Sequence, residues 1–166
     1  FAVKMEKKFE IKELRENDME HVRMMIQELA DFEKMPKGPK LSVQKLKEDF
    51  KNNFFFGFIA FSNNEPAGMG LCYLPYSTWE GVFLHLEDLY VRPEFRENGL
   101  GRKIIAAVCK EAQKRNYKRV QWNVLNWNPA RSFYRKLGAE DISESEGWLT
   151  YRLGTQQIAN IASEAE

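Results

Sequence analysis

Leu86–Ala107 reads LEDLYVRPEFRENGLGRKIIAA. Leu86–Val91 has the composition of a strand, Arg92-Pro93 opens a loop, and a helix starts at about Gly99. Between strand and helix, Arg96-Glu97-Asn98-Gly99-Leu100-Gly101 has the form R-x-x-G-x-G. The first turn of a helix carries N–H groups with no partner inside the helix. Those donors, with the positive end of the helix dipole, suit a phosphate. Gly99 and Gly101 lack a Cβ, so a pyrophosphate can approach the main chain closely. Arg96 and Arg102 add positive charge. A short glycine motif is a weak signal alone. Its place after an acidic–apolar strand and at the mouth of an amphipathic helix strengthens it.

Working outward from this stretch, the following helix carries Leu100, Ile104, Ile105, Val108 and Ala112 on one side, with Glu111 and Arg115 paired on the other. Val120, Trp122 and Val124 alternate as a further strand. Strand, helix, strand in this order predicts a right-handed crossover and a parallel pair. Upstream, Phe54–Phe61, Ala67–Leu74 and Val82–Val91 read as three sequential strands of an antiparallel meander. Asn63, Asn64 and Gly68 mark the first hairpin, and Tyr76–Gly81 is a loop. Phe9–Leu14 is a short first strand. Asn17, with Glu20 three residues on, has capping-box spacing for a helix with Val22, Met25, Ile26 and Leu29 on its buried face. That helix runs to about Lys34, and Ser42 caps a shorter one carrying Val43, Leu46 and Phe50. Downstream, Asn128-Pro129 starts a helix through Phe133 and Tyr134 that Gly138 stops. Trp148–Leu153 reads as a last strand, and Thr155–Glu166 as a helical or frayed tail.

The 166 residues suit a single domain over 5–166, with Phe1–Lys4 read as an added remnant before a natural start at Met5. Basic and acidic residues nearly balance, 25 against 24, which gives no footprint for nucleic acid or a membrane surface. No apolar run approaches transmembrane length, and the first residues, FAVKMEKK, do not read as a signal peptide, their apolar stretch being too short. Cys72 and Cys109 both sit in apolar patterns and read as buried thiols, which suits a reducing, cytoplasmic setting. His21, on the polar side of the first helix, and His85 lack metal-ligand spacing, so no metal site is expected.

With this order of elements the chain resembles the GNAT N-acetyltransferase superfamily over about Phe9 to Leu153. The carriers are the Arg96–Gly101 loop and the helix end Phe133-Tyr134-Arg135-Lys136-Leu137-Gly138. Leu29–Lys34, Tyr76-Ser77-Thr78-Trp79, Leu86–Val91 and Ser145-Glu146-Gly147-Trp148 resemble its diamine acetyltransferase branch, and the Tyr76–Trp79 loop looks like the thialysine type rather than the spermidine/spermine type. The resemblance implies a single-domain α/β (α+β) GNAT fold with a mixed, mainly antiparallel sheet flanked by helices. It implies acetyl-CoA as co-substrate, held by Leu89, Tyr90 and Val91 on the strand and by Arg96, Glu97, Asn98, Gly99, Leu100, Gly101 and Arg102 on the loop. It also implies an asparagine beside the cofactor. Asn128 is the candidate, with Asn126 and Trp127 as alternatives, because the stretch to Tyr134 is one residue shorter than the family spacing. A homodimer with the acceptor site near the subunit interface is implied as well.

Acetyl transfer to an amine has three physical needs. An ammonium of pKa about 10.4 must lose a proton. The developing oxyanion needs a preorganised donor. The CoA thiolate leaves more easily when it receives a proton. The resemblance makes Tyr134 the acid and the Leu89 N–H a donor to the thioester carbonyl. Glu87 is the candidate base, acting through water, because adjacent carboxylates inside a predicted interior strand are unusual. Alternation puts Glu87 and Asp88 on opposite faces, so one of them at most faces a given pocket. Glu33 and Glu146 are candidates for the distal ammonium of a diamine, with Phe32, Trp79 and Trp148 lining a channel for its carbon chain. Asp88 joins them on the acceptor side. The expected function is acetyl-CoA-dependent N-acetylation of a small diamine or lysine-like amine. The alternatives are a protein amino group as acceptor, or a CoA-binding module without catalysis.

Overall fold

The computed structural model describes residues 8–165. Its contacts group into two compact units, one ending at Asn123 and one beginning at Val124. The first unit holds a five-stranded sheet of order β1-β2-β3-β6-β7. Its strands are β1 (Glu10–Glu13), β2 (Phe56–Ser62), β3 (Glu65–Tyr73), β6 (Leu84–Val91) and β7 (Val120–Gln121). The first three junctions are antiparallel and β6–β7 is parallel, as a meander followed by a crossover requires. A two-stranded ribbon, β4 (Tyr76–Ser77) and β5 (Gly81–Val82), stands where a plain loop was expected.

The helices α1 (Met19–Phe32) and α2 (Val43–Lys51) cover one face of the sheet. Met19, Val22 and Met25 of α1 and Leu46 of α2 join Ile59, Met69, Leu71 and Tyr90 in one core cluster. Helix α3 (Leu100–Lys114) lies on the other face, where Leu100 and Ile104 pack with Ala60, Ala67 and Phe95. A Cβ on Gly70 would meet the Ile104 side chain at 2.8 Å, so a glycine there lets α3 sit close to the sheet. The β2–β3 hairpin turns on Asn63 and Asn64, both in the left-handed region at φ 49° and 66°. Asparagine tolerates that conformation, and a two-residue turn of this hand matches the twist of the strands it joins.

The start of α1 differs from the Asn17–Glu20 expectation. A short 3₁₀ turn, Glu16–Asp18, precedes the helix, and the Asp18 carboxylate accepts the Arg15 N–H at 2.8 Å. Ser42 does cap α2, its Oγ accepting the Lys45 N–H at 3.1 Å. Cys72 is buried, but Cys109 is exposed, because it follows Val108 just off the buried stripe of α3. His21 is half-buried, with its ring edge-on to Phe61, rather than on a solvated face.

The second unit holds α4 (Ala130–Lys136), α5 (Ile142–Ser145) and α6 (Thr155–Ala162). The expected strand Trp148–Leu153 is absent: these residues are irregular and exposed. Alternation alone cannot make a strand, which exists only where a neighbour accepts its backbone hydrogen bonds. The strand read over Val120–Val124 is likewise cut to Val120–Gln121, the length that pairs with Leu84 and His85. No helix among the described residues is long and apolar enough to cross a membrane.

Candidate active site

The sheet sets up two surfaces along β6. At its end the chain turns through Pro93–Phe95 and enters the R-x-x-G-x-G loop. Glu97 and Gly99 both adopt left-handed backbone, φ 61° and 72°. The Asn98 amide donates to the Arg96 carbonyl at 2.7 Å and to that of Phe95 at 3.3 Å, holding the loop folded on itself. Gly99 stands at the N-cap of α3 without a side-chain cap, and the first backbone bond into the helix is Lys103 N–H to Gly99 O at 3.1 Å. The amides of Leu100, Gly101 and Arg102 therefore precede the first such bond and point out of the helix end. A Cβ at Gly99 would meet nothing within 4 Å, so the loop leaves open space there. This donor set suits a pyrophosphate. Arg96 does not extend into that space. Its Nε donates to the Val91 carbonyl at 2.9 Å, and its guanidinium lies 5.5 Å from the ring centre of Phe32 and 5.8 Å from that of Tyr90.

The second surface is the α1-facing side of β6. The pairing with β3 slips within this strand: Leu71 is opposite Asp88, but Cys72 is opposite Leu86. Glu87 is thus the extra residue of a β-bulge, which breaks the alternation of faces. Asp88 lies on the face of its partner Leu71, a member of the α1-side core. His85, opposite Tyr73, lies on that face too, and its Nε2 is 3.5 Å from Glu87 Oε2. Glu87 and Asp88 therefore share one face, against the expectation from simple alternation.

The electrostatics follow from this crowding. Burial, then the neighbouring Glu87 and Glu33 carboxylates, push Asp88 up to about 7. Glu33, just past the end of α1, is raised by burial. Burial raises the Tyr73 phenol, and Glu87 adds to it. Burial lowers His85 and outweighs the opposite pull of Glu87. Phe32 is at the margin of this face, under Arg96. Trp79 is different: at the tip of the β4–β5 ribbon it is 83% exposed, with its backbone N–H donating to Ser77 Oγ.

In the second unit Asn128 Oδ1 accepts the Ala130 N–H at 2.9 Å, so this side chain starts α4. A cleft of about 560 Å³ is lined by Asn126, Asn128, Arg131, Ser132, Arg135 and Lys136, together with Pro129. Tyr134 is half-buried on α4, its ring 5.4 Å from that of Phe133. Two further candidates of the acceptor side, Glu146 and Trp148, contact each other, Trp148 Nε1 donating to Glu146 Oε2 at 2.7 Å.

Residues 22–139 match the model of the acetyltransferase (GNAT) family. The chain belongs to the GNAT acetyltransferase family. The thialysine N-epsilon-acetyltransferase of Caenorhabditis elegans is 42% identical over 159 residues, 95% of this chain and 99% of that one. That of Mus musculus is 39% identical, covering 92% and 96%. Among solved structures, a predicted acetyltransferase with acetyl-CoA from Clostridium acetobutylicum superposes with a TM-score of 0.71 at 18% identity, over 88% of this chain and 97% of that one. The mixed, mainly antiparallel sheet flanked by helices is thus a GNAT fold, and the chain is an acyltransferase of a family whose members use acetyl-CoA.

Within the GNAT frame, sequence reasoning passed over several side chains. The sequence reading sets His85 aside for want of metal-ligand spacing and gives it no other role, although the i, i+2 spacing of His85 and Glu87 already puts them on one side of a strand. Arg92 and Glu28 form a two-point ion pair, at 2.8 and 3.0 Å, beside a cleft of about 400 Å³ that Asp31, Tyr90 and Glu94 also line. These partners are 64 residues apart, so no local pattern announces them.

Proposed function

We propose that this chain transfers the acetyl group of acetyl-CoA directly to a primary amine of a small diamine or lysine-like substrate, of the thialysine type. The observation that carries this reading is the carboxyl cluster Glu33, Glu87 and Asp88 on one face of β6. A cation of two charges meets anions there, while the chain as a whole is nearly neutral. The thialysine N-epsilon-acetyltransferases to which the chain is similar support the same acceptor class.

In this reading the amides of Leu100, Gly101 and Arg102 hold the pyrophosphate, and Leu89, Tyr90, Val91, Arg96, Glu97, Asn98, Gly99 and Asn128 complete the cofactor surface. The Leu89 N–H donates to the thioester oxygen as negative charge develops on it. Glu87, through a water, takes a proton from the ammonium. Tyr134 delivers a proton to the departing thiolate. Glu33 binds the distal ammonium with Glu146 in reserve, Asp88 adds negative charge near the reacting end, and Phe32, Trp79 and Trp148 contact the carbon chain. We also infer a homodimer working in the cytoplasm.

The test is acetyl-CoA-dependent release of free thiol with a panel of thialysine, putrescine, spermidine, lysine and a lysine-bearing peptide. Thialysine or a short diamine should give the highest kcat/KM. Preference for the peptide would move the acceptor to proteins, and no thiol release with any amine would leave only a CoA-binding module. Tyr134→Phe should lower kcat by roughly ten- to ten-thousand-fold while leaving acetyl-CoA affinity near the parent value.

A further inference from the structure

His85 is the one imidazole on the acceptor face among the described residues, and the proposed reaction gives it no task. It is two residues from Glu87, and the bulge leaves Glu87 without a cross-strand partner. The His85 side chain is 8% exposed and that of Glu87 is 59% exposed, with His85 Nε2 3.5 Å from Glu87 Oε2. A long acid in a bulge, with most of its surface in water, has many rotamers open to it. A buried ring has few. The His85 ring is held from the other side by Tyr73 of β3, with ring centres 4.8 Å apart. Its neighbour in register on β7 is Gln121.

We propose that His85 is a positioning residue that fixes the Glu87 carboxylate for proton removal from the amine. The proposal rests on the reading of Glu87 as the base. The neutral Nε2–H tautomer donates toward one carboxylate oxygen and leaves the other free for the water that contacts the substrate. A neutral imidazole orients Glu87 without placing a full positive charge beside it, which would weaken it as a base. The groups around His85 fit a neutral ring. Burial lowers its affinity for a proton, Tyr73 faces it as a neutral phenol, and Gln121 carries no charge. Burial holds Asp88 and Glu33, farther along the face, toward their protonated forms until a cation enters the site.

The proton balance is closed without His85 changing state. Of the three protons on the substrate ammonium, one passes through the water to Glu87 and on to solvent. The nitrogen then forms its bond to the acetyl carbon as the carbon–sulfur bond breaks. A second proton leaves the nitrogen and balances the one delivered to the CoA sulfur, and the third stays on the amide. His85 keeps its Nε2–H throughout.

The test compares His85→Phe, His85→Gln, Glu87→Gln and the double variant His85→Phe/Glu87→Gln, with thialysine and acetyl-CoA as substrates. Glu87→Gln should lower kcat by roughly a hundred-fold or more. His85→Phe keeps a ring against Tyr73 and should lower kcat about ten-fold, with KM for acetyl-CoA and the melting temperature close to the parent. His85→Gln restores a donor and should recover most of the loss even though the ring is gone. The double variant should be no slower than Glu87→Gln, because there is no base left to orient. A His85→Phe enzyme with parental kcat overturns the proposal. So does a His85→Phe loss that multiplies with that of Glu87→Gln, or one that His85→Gln fails to relieve. Parental kcat in Glu87→Gln is a different failure: it removes Glu87 as the base, and the positioning role with it.

Discussion

Asp88 is a carboxyl mostly buried beside two other acids, and that arrangement works against the fold. Its folded-state pKa is about 7, against 3.8 for the ordinary group. The folded chain therefore binds a proton that the unfolded chain has already released between about pH 4 and pH 7. Stability must fall as pH rises through that window and level off above it. Asp88→Asn removes the charge and keeps the shape. It should match the parent near pH 4 and be more stable above pH 7, by at most about 4 kcal/mol if the whole shift is relieved. Denaturant melts at pH 4, 6 and 8 read this directly, and parallel curves for the two proteins would show that Asp88 is not held protonated. A group kept at such a cost fits a site awaiting a cation, which is the sense of the second residue-scale prediction. Glu33→Gln should raise KM for a diamine by roughly ten- to a hundred-fold, the equivalent of the 1.5–3 kcal/mol typical of a hydrogen bond to a charged group. A monoamine of equal length should be nearly indifferent to the change. Equal losses for both amines would make Glu33 structural.

The elements were legible where local chemistry decides them and illegible where a distant partner does. Ser42 before Val43, Leu46 and Phe50 announces α2 because the cap and the buried face lie within nine residues. The stripe Leu100, Ile104, Ile105, Val108 and Ala112 announces α3 in the same way, and all five are buried. The β-bulge at Glu87 is set by the register of β3 against β6, which no alternation in β6 records. That single extra residue turned two acids expected on opposite faces into neighbours on one, and the shape of the acceptor face depends on it. The phosphate loop lies between these cases. Its glycines were visible, but the reason for Gly99 was only half visible. A side chain there would meet open space, so the constraint on the free protein is the left-handed φ of 72°. Gly99→Val should cost stability, since a β-branched residue resists that conformation. It should also weaken acetyl-CoA binding by filling the space in front of the α3 amides. Calorimetric titration with acetyl-CoA at a temperature where the variant is folded separates the two effects. Intact affinity would mean that the cofactor phosphates do not use this end of α3.

At the scale of the molecule, the last twenty or so residues pose a question about surface. Trp148, Leu149, Tyr151 and Leu153 are 61, 75, 89 and 55% exposed, and Ile158 and Ile161 of α6 are 55 and 52% exposed. A single exposed leucine or tyrosine is ordinary. A succession of large apolar side chains along one short stretch marks an interaction surface. The alternating pattern over Trp148–Leu153 is also that of a strand with no pairing partner among the described residues. We propose that a second copy of the chain supplies the missing neighbour. This is the physical support for the proposed homodimer. Tyr151→Asp together with Ile158→Asp puts two charges on that surface. The parent should sediment at about twice the 19.5 kDa chain mass and the double variant as a single chain. The melting temperature of the parent should rise with protein concentration, while that of the variant should not. A parent that sediments as one chain at micromolar concentration would remove the homodimer from the reading. A variant that stays dimeric would place the interface elsewhere.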